Sequence, residues 1–152
     1  MNQAGLHDEL LHRLFIELEI MKNKPIDPLG AEPDITETYN RIAETYFNKG
    51  DLDNALKYYL LCFEIRQSAY QPMESGKPHR KTVLCYQSIG RIYMKQKKYD
   101  MALDYLQKFI DLCEEAFDND LGLQDAENNP LDVSMDEHYL NLAMINETMK
   151  KY

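Results

Sequence analysis

The feature that most constrains this chain is an eight-residue pattern that occurs three times. It reads Tyr39-x-x-Ile42-Ala43-x-x-Tyr46, then Tyr86-x-x-Ile89-Gly90-x-x-Tyr93, then Tyr139-x-x-Leu142-Ala143-x-x-Asn146. After the first two copies an alanine follows the last tyrosine at the same distance, as Ala55 and Ala102. The aromatic, apolar and small positions recur at i, i+3, i+4 and i+7, which places them on one helix face. A repeat that keeps both its spacing and its small residues marks a repeat architecture.

The rest of the chain supports a helical reading. Prolines fall at Pro25, Pro28, Pro33, Pro72, Pro78 and Pro130, between the periodic segments rather than inside them. A first helix is expected over residues 5–22, with Leu6, Leu10, Leu14 and Leu18 as its i, i+4 apolar row and Leu11 and Phe15 beside it. Asn23 to Pro33 reads as a linker. Asp34-x-x-Glu37 has the form of a capping box, in which a side-chain oxygen meets orphan N–H groups and a glutamate reaches back. The helix it opens runs to about Asn48, where Gly50 suits the left-handed residue that ends a helix. Asp51 and Asp53 open the next helix, to about Tyr70, where negative charge favours the dipole. Two further helices are expected from about His79 to Gln96 and from about Asp100 to Phe117, joined by a tight turn at Lys97-Lys98. An acidic loop from Asp118 to Val133 leads to Ser134-x-x-Glu137, a second capping-box candidate that starts a final helix. The expected fold is therefore all-α, with about six helices and no strand.

These residues resemble the tetratricopeptide repeat family. Its signature is an aromatic, a Leu-Gly pair, a tyrosine, and then Ala-x-x-x-Phe. Tyr39, Ile42, Ala43, Tyr46, Gly50, Ala55 and Tyr59 match in the first repeat, and Tyr86, Ile89, Gly90, Tyr93, Tyr99, Ala102 and Leu106 in the second. The resemblance implies a right-handed superhelical stack of antiparallel helix pairs. Its layout would be residues 1–33 as an N-terminal helix and linker that pack on or cap the stack, then 34–152 as the repeat domain. Within that domain the repeats would span about 34–70, about 79–117 and, in part, about 134–152. The starts are 47 and 53 residues apart (Tyr39 to Tyr86, Tyr86 to Tyr139), against about 34 in the common repeat. This is similar to the long-repeat branch typified by kinesin light chains. The family's late proline is absent, with Gln67 and Glu114 in its place, and Phe109 stands where a small residue is preferred.

The resemblance also implies where a ligand would sit. In stacked repeats the first helix of each pair lines a concave groove, here with Asn40, Arg41 and Glu44, then Leu84, Gln87, Ser88, Arg91 and Lys95, then Asn141 and Met144. Glu37, Asn48 and Leu140 flank them. Long-repeat members contact a peptide backbone through an asparagine just before the Leu-Gly or Leu-Ala pair. Only Asn141 keeps that residue, with Arg41 and Ser88 at the equivalent places. Glu44 occupies the position of an asparagine that carboxylate-clamping members require, so a chaperone tail is a poor candidate ligand.

Charge narrows the partners further. The net charge of −9 disfavours nucleic acid and anionic membranes, which select basic surfaces. The charge is segregated. Ser75 to Tyr99 holds seven Lys and Arg and no acid, whereas Phe109 to Met149 holds eleven acids and no Lys or Arg. Arg91 and Lys95 can be read as a cationic floor that steers an acidic protein segment, although charge runs are more often solvated surface and the chain's own acidic loop could screen the basic helix. The first and last helices are apolar on more than one side, so an assembly subunit that self-associates through these ends stays open as an alternative, as does a regulator controlled by a bound peptide.

Signals for catalysis are sparse. His7, His12, His79 and His138 are scattered, and no H-E-x-x-H, phosphate-cradling glycine loop or Gly-x-Ser-x-Gly occurs. Asp8 and His12, one turn apart, read as a surface pair rather than a metal site. Asp118-Asn-Asp120 before Gly122 departs from a calcium loop in its glycine and its missing glutamate. Cys62, Cys85 and Cys113 form no C-x-x-C pair and read as buried free thiols of a reducing compartment. The sequence thus predicts a cytoplasmic, non-enzymatic protein-binding scaffold or adaptor with no cofactor, no metal and no membrane insertion.

Overall fold

The computed structural model describes residues 2–24, 35–69, 80–118 and 135–151, which form six α-helices. They group into two compact units, Met1–Ser68 and Ala69–Tyr152. The capping boxes expected at Asp34 and Ser134, all six prolines and most of the acidic loop lie outside the described residues.

In the first unit, α1 (Gln3–Asn23) starts at Asn2, whose Oδ1 accepts the Gly5 N–H at 2.8 Å. Its buried stripe is Leu11, Leu14 and Leu18. The expected i, i+4 leucine row is corrected here, because Leu6 and Leu10 are 58% and 38% exposed. Each i, i+4 step advances about 40° around a helix of 3.6 residues per turn, so a row of four drifts off any single face. The i, i+3, i+7 set stays together.

Helix α2 (Ile35–Lys49) runs antiparallel to α1. Glu17 accepts from Thr38 Oγ1 and Arg41 Nη1, both at 3.3 Å, and Asp8 at the other end pairs with Lys49. Gly50, at φ +89°, then reverses the chain. Its N–H meets Phe47 O at 3.0 Å and the Asp51 N–H meets Tyr46 O at 2.9 Å, the bond pair of a left-handed helix stop. Asp51 caps α3 (Leu52–Ala69), accepting from the Asn54 N–H and side-chain amide. That bonding holds its carboxyl below the usual range. Ala43 and Ala55 are fully buried. Tyr58 stacks between Tyr39 and Tyr46, with ring centroids 6.1 and 5.8 Å away, while Phe15 of α1 closes from the side at 5.9 Å.

The second unit repeats this arrangement. Helix α4 (Arg80–Lys95) ends in the same pair of bonds, Lys97 N–H to Met94 O and Lys98 N–H to Tyr93 O. Here the left-handed position is a lysine, Lys97, at φ +61°. In α5 (Tyr99–Asp118), Tyr105 sits between Tyr86 and Tyr93 at 6.1 and 5.6 Å, as Tyr58 does in the first unit. Helix α6 (Met135–Lys150) packs on α5 through His138, Leu142 and Ile145, and the His138 ring meets Phe109 edge-on at 4.9 Å. Phe109, the large residue at a small-residue position, thus serves as the floor on which α6 rests. No strand occurs among the described residues.

Candidate functional site

The candidate residues divide between the two units. On α2, Arg41 and Glu44 are exposed and Asn40 is half-buried. Arg41 is not an isolated cation, since Glu17 of α1 lies 3.3 Å from it. At the start of α2, Thr36 and Glu37 are engaged by Arg66 of α3, with Arg66 Nε 3.4 Å from Thr36 Oγ1 and Nη2 4.0 Å from Glu37 Oε2. Arg66 is buried and was not anticipated. The signal was readable, because Ala55, Tyr59, Cys62 and Arg66 follow one another at 4-3-4 spacing on the apolar stripe of α3.

In the second unit, α4 presents Leu84, Gln87 and Ser88 half-buried and Arg91 and Lys95 exposed. Gln87 reaches across to α6, where its Nε2 is 2.9 Å from His138 Nε2. With the amide donating, the ring accepts at Nε2 and holds its proton on Nδ1, which meets no acceptor. Burial pushes His138 below the usual imidazole range, while the Glu137 charge opposes the shift and the smaller effect of Arg91 adds to it. Position 138 lies on one stripe with Leu142 and Ile145, so its burial was implicit in the pattern.

Asn141 does not stand open to a ligand. It is 9% exposed, on the side of α6 turned toward the core, whereas Met144, about 60° further round the helix, is 55% exposed. The structure therefore brings Gln87, Arg91 and α6 together and keeps Met144 outward. The α2 candidates stay in the other unit.

Among the described residues no group of three or more His, Cys, Asp or Glu side chains could hold a metal ion. Asp8 turns to Lys49 of α2. The three cysteines are buried and form no disulfide. Cys85 Sγ donates to Lys81 O at 3.3 Å, and burial raises the Cys113 thiol to about 11, away from an activated thiolate. Among the described residues no helix is long and apolar enough to cross a membrane.

The sequence profile of the tetratricopeptide repeat family matches residues 34–115, more than half of the chain. The chain belongs to the tetratricopeptide repeat family. Proteins built from tetratricopeptide repeats are generally protein-interaction modules. The match spans α2 to α5, the two helix pairs whose turns and tyrosine sandwiches correspond. Helices α1 and α6 lie outside it, and so do Asn141 and Met144, which the repeat pattern alone assigns to a third tetratricopeptide unit. No curated protein matches the chain.

Proposed function

We propose that this protein is a non-enzymatic recognition module that binds an acidic segment of a partner protein on the exposed face of α4, the first helix of its second repeat, as an adaptor or scaffold. The observation that carries this reading is the face of α4. Arg91 and Lys95 are exposed beside the half-buried Leu84, Gln87 and Ser88. Exposed Leu140 and Met144 of α6 supply apolar contact in the same unit. Asn40, Arg41 and Glu44 would present the corresponding face of α2. The repeats would run over about 34–70, about 79–117 and about 134–152, with the 47-residue spacing favouring the long-repeat, kinesin light chain-like branch. Three buried cysteines outside any disulfide favour a reducing, cytoplasmic setting.

The test is binding of an acidic peptide library, followed by fluorescence anisotropy. Arg91→Glu combined with Lys95→Glu is expected to weaken the best binder about tenfold or more and to flatten its salt dependence. Unchanged affinity would show that the α4 face is not the site.

A further inference from the structure

Helix α6 turns His138, Asn141, Leu142 and Ile145 inward and leaves an apolar strip outward: Leu140 at 61% exposure, Met144 at 55%, Ala143 between them and Tyr139 at its edge. The small residue is the informative one. In the eight-residue pattern Ala143 corresponds to Ala43 and Gly90, both buried under a neighbouring helix. At Gly90 the approach is so close that a β-carbon would stand 2.7 Å from Leu106 Cγ. Ala143 is the member of this set that faces solvent.

The charges on the strip state what could cover it. Asp136 and Glu137 lie in the first turn of α6, and Lys150 and Lys151 lie at its other end. Asp136, Leu140, Ala143, Glu147 and Lys150 follow 4-3-4-3 spacing, the straight seam along which two helices pack. An identical helix laid antiparallel across Ala143 sets the acids of each copy opposite the lysines of the other. A parallel one opposes like charges. The pair Lys150 to Glu147, 3.3 Å apart within α6, is exposed and holds the lysine only loosely.

We propose that the outward face of α6 is the docking surface for a second copy of this chain, the two α6 helices crossing antiparallel at Ala143. The patch is self-complementary, so the contact closes as a two-fold dimer and does not propagate. One helix pair lies at the small end of specific interfaces, below about 1,200 Å² in total, so the dimer is weak and concentration-dependent. The peptide-binding reading shares Leu140 and Met144 with this face but rests on the cations of α4, so the two proposals are tested through different residues.

The experiment is sedimentation equilibrium on the full chain from micromolar to near-millimolar concentration, with helix content checked by circular dichroism. The native chain is expected to pass from monomer to dimer and stop. Lys150→Glu with Lys151→Glu, and separately Asp136→Lys with Glu137→Lys, are each expected to weaken self-association at least tenfold, while an equimolar mixture of the two restores a dimer. A native chain that stays monomeric, a mass that climbs past dimer, or charge reversals without effect would each overturn the proposal. Should the reversed chains lose helix content, Ala143→Cys in the otherwise native chain decides. A disulfide-linked dimer under mild oxidation supports the two-fold contact at Ala143, and its absence at concentrations where the native chain dimerises refutes it. Arg91→Glu with Lys95→Glu leaves the dimer intact, so failure of either proposal is visible without the other.

Discussion

Gly90 faces Leu106 across the α4–α5 pair so closely that a β-carbon on the glycine would lie 2.7 Å from the leucine Cγ and 3.3 Å from its backbone nitrogen. The side chain can shift, but the backbone atom behind it cannot move without carrying α5 along. Gly90→Ala is therefore expected to destabilise the protein by about 1–3 kcal/mol, the range for overpacking a filled core. The urea unfolding midpoint measures it. A midpoint equal to that of the native chain would mean the helices tolerate a wider spacing than the structure gives.

The two turns between paired helices offer a matched comparison. Gly50 and Lys97 share the left-handed position and the same two hydrogen bonds, but lysine has a β-carbon that this conformation disfavours by roughly 1–2 kcal/mol. Lys97→Gly is expected to stabilise by about 1 kcal/mol and Gly50→Ala to destabilise by about as much. A β-carbon at Gly50 would meet no atom within 4 Å, so backbone conformation alone accounts for the loss. Thermal unfolding of the two variants checks both signs.

Asp51 supplies the acceptor at the start of α3, bonding the Asn54 N–H at 3.2 Å and its amide at 2.7 Å. Asp51→Ala should cost about 1 kcal/mol, the usual worth of such a cap. Its carboxyl is held below the ordinary value of 3.8 by those bonds. The contribution is thus present at neutral pH and lost as pH falls below 3.8 through the folded value. Asn at this position should retain most of the stability and none of that pH dependence.

His138 should make stability fall on mild acidification. Burial holds its folded pKa below the ordinary 6.5, so the unfolded chain takes up a proton first. Its contribution is present above 6.5 and lost as pH drops from there through the folded value. Protonation also puts an Nε2–H against the Gln87 amide donor. Urea midpoints between about pH 5 and pH 7.5 should decline for the native chain and stay flatter for His138→Gln. Parallel curves would show that the imidazole does not titrate across the unfolding transition in this range.

The repeat grammar was legible because it is local. Tyr39, Ala43 and Tyr46, and their counterparts Tyr86, Gly90 and Tyr93, sit one helical turn apart, and both the sandwiches around Tyr58 and Tyr105 and the small-residue contacts follow from that spacing. The helix ends were legible for the same reason, since Gly50, Asp51 and Lys97 act on neighbouring backbone groups. Arg66 and His138 carried a fainter signal, as polar residues on otherwise apolar stripes whose partners, Thr36, Glu37 and Gln87, lie on other helices.

The sequence by itself determined that this chain forms paired helices of the tetratricopeptide kind, because 3.6-residue periodicity and turn chemistry are properties of short segments. Only the tertiary structure decided which face each end helix buries. Helices α1 and α6 are apolar on two sides, so nothing local chooses between Leu10 and Leu11, or between Asn141 and Met144. The choice was made by the surface each helix met: the polar ladder of Thr38 and Arg41 that took up Glu17, and the Phe109 ring that received His138.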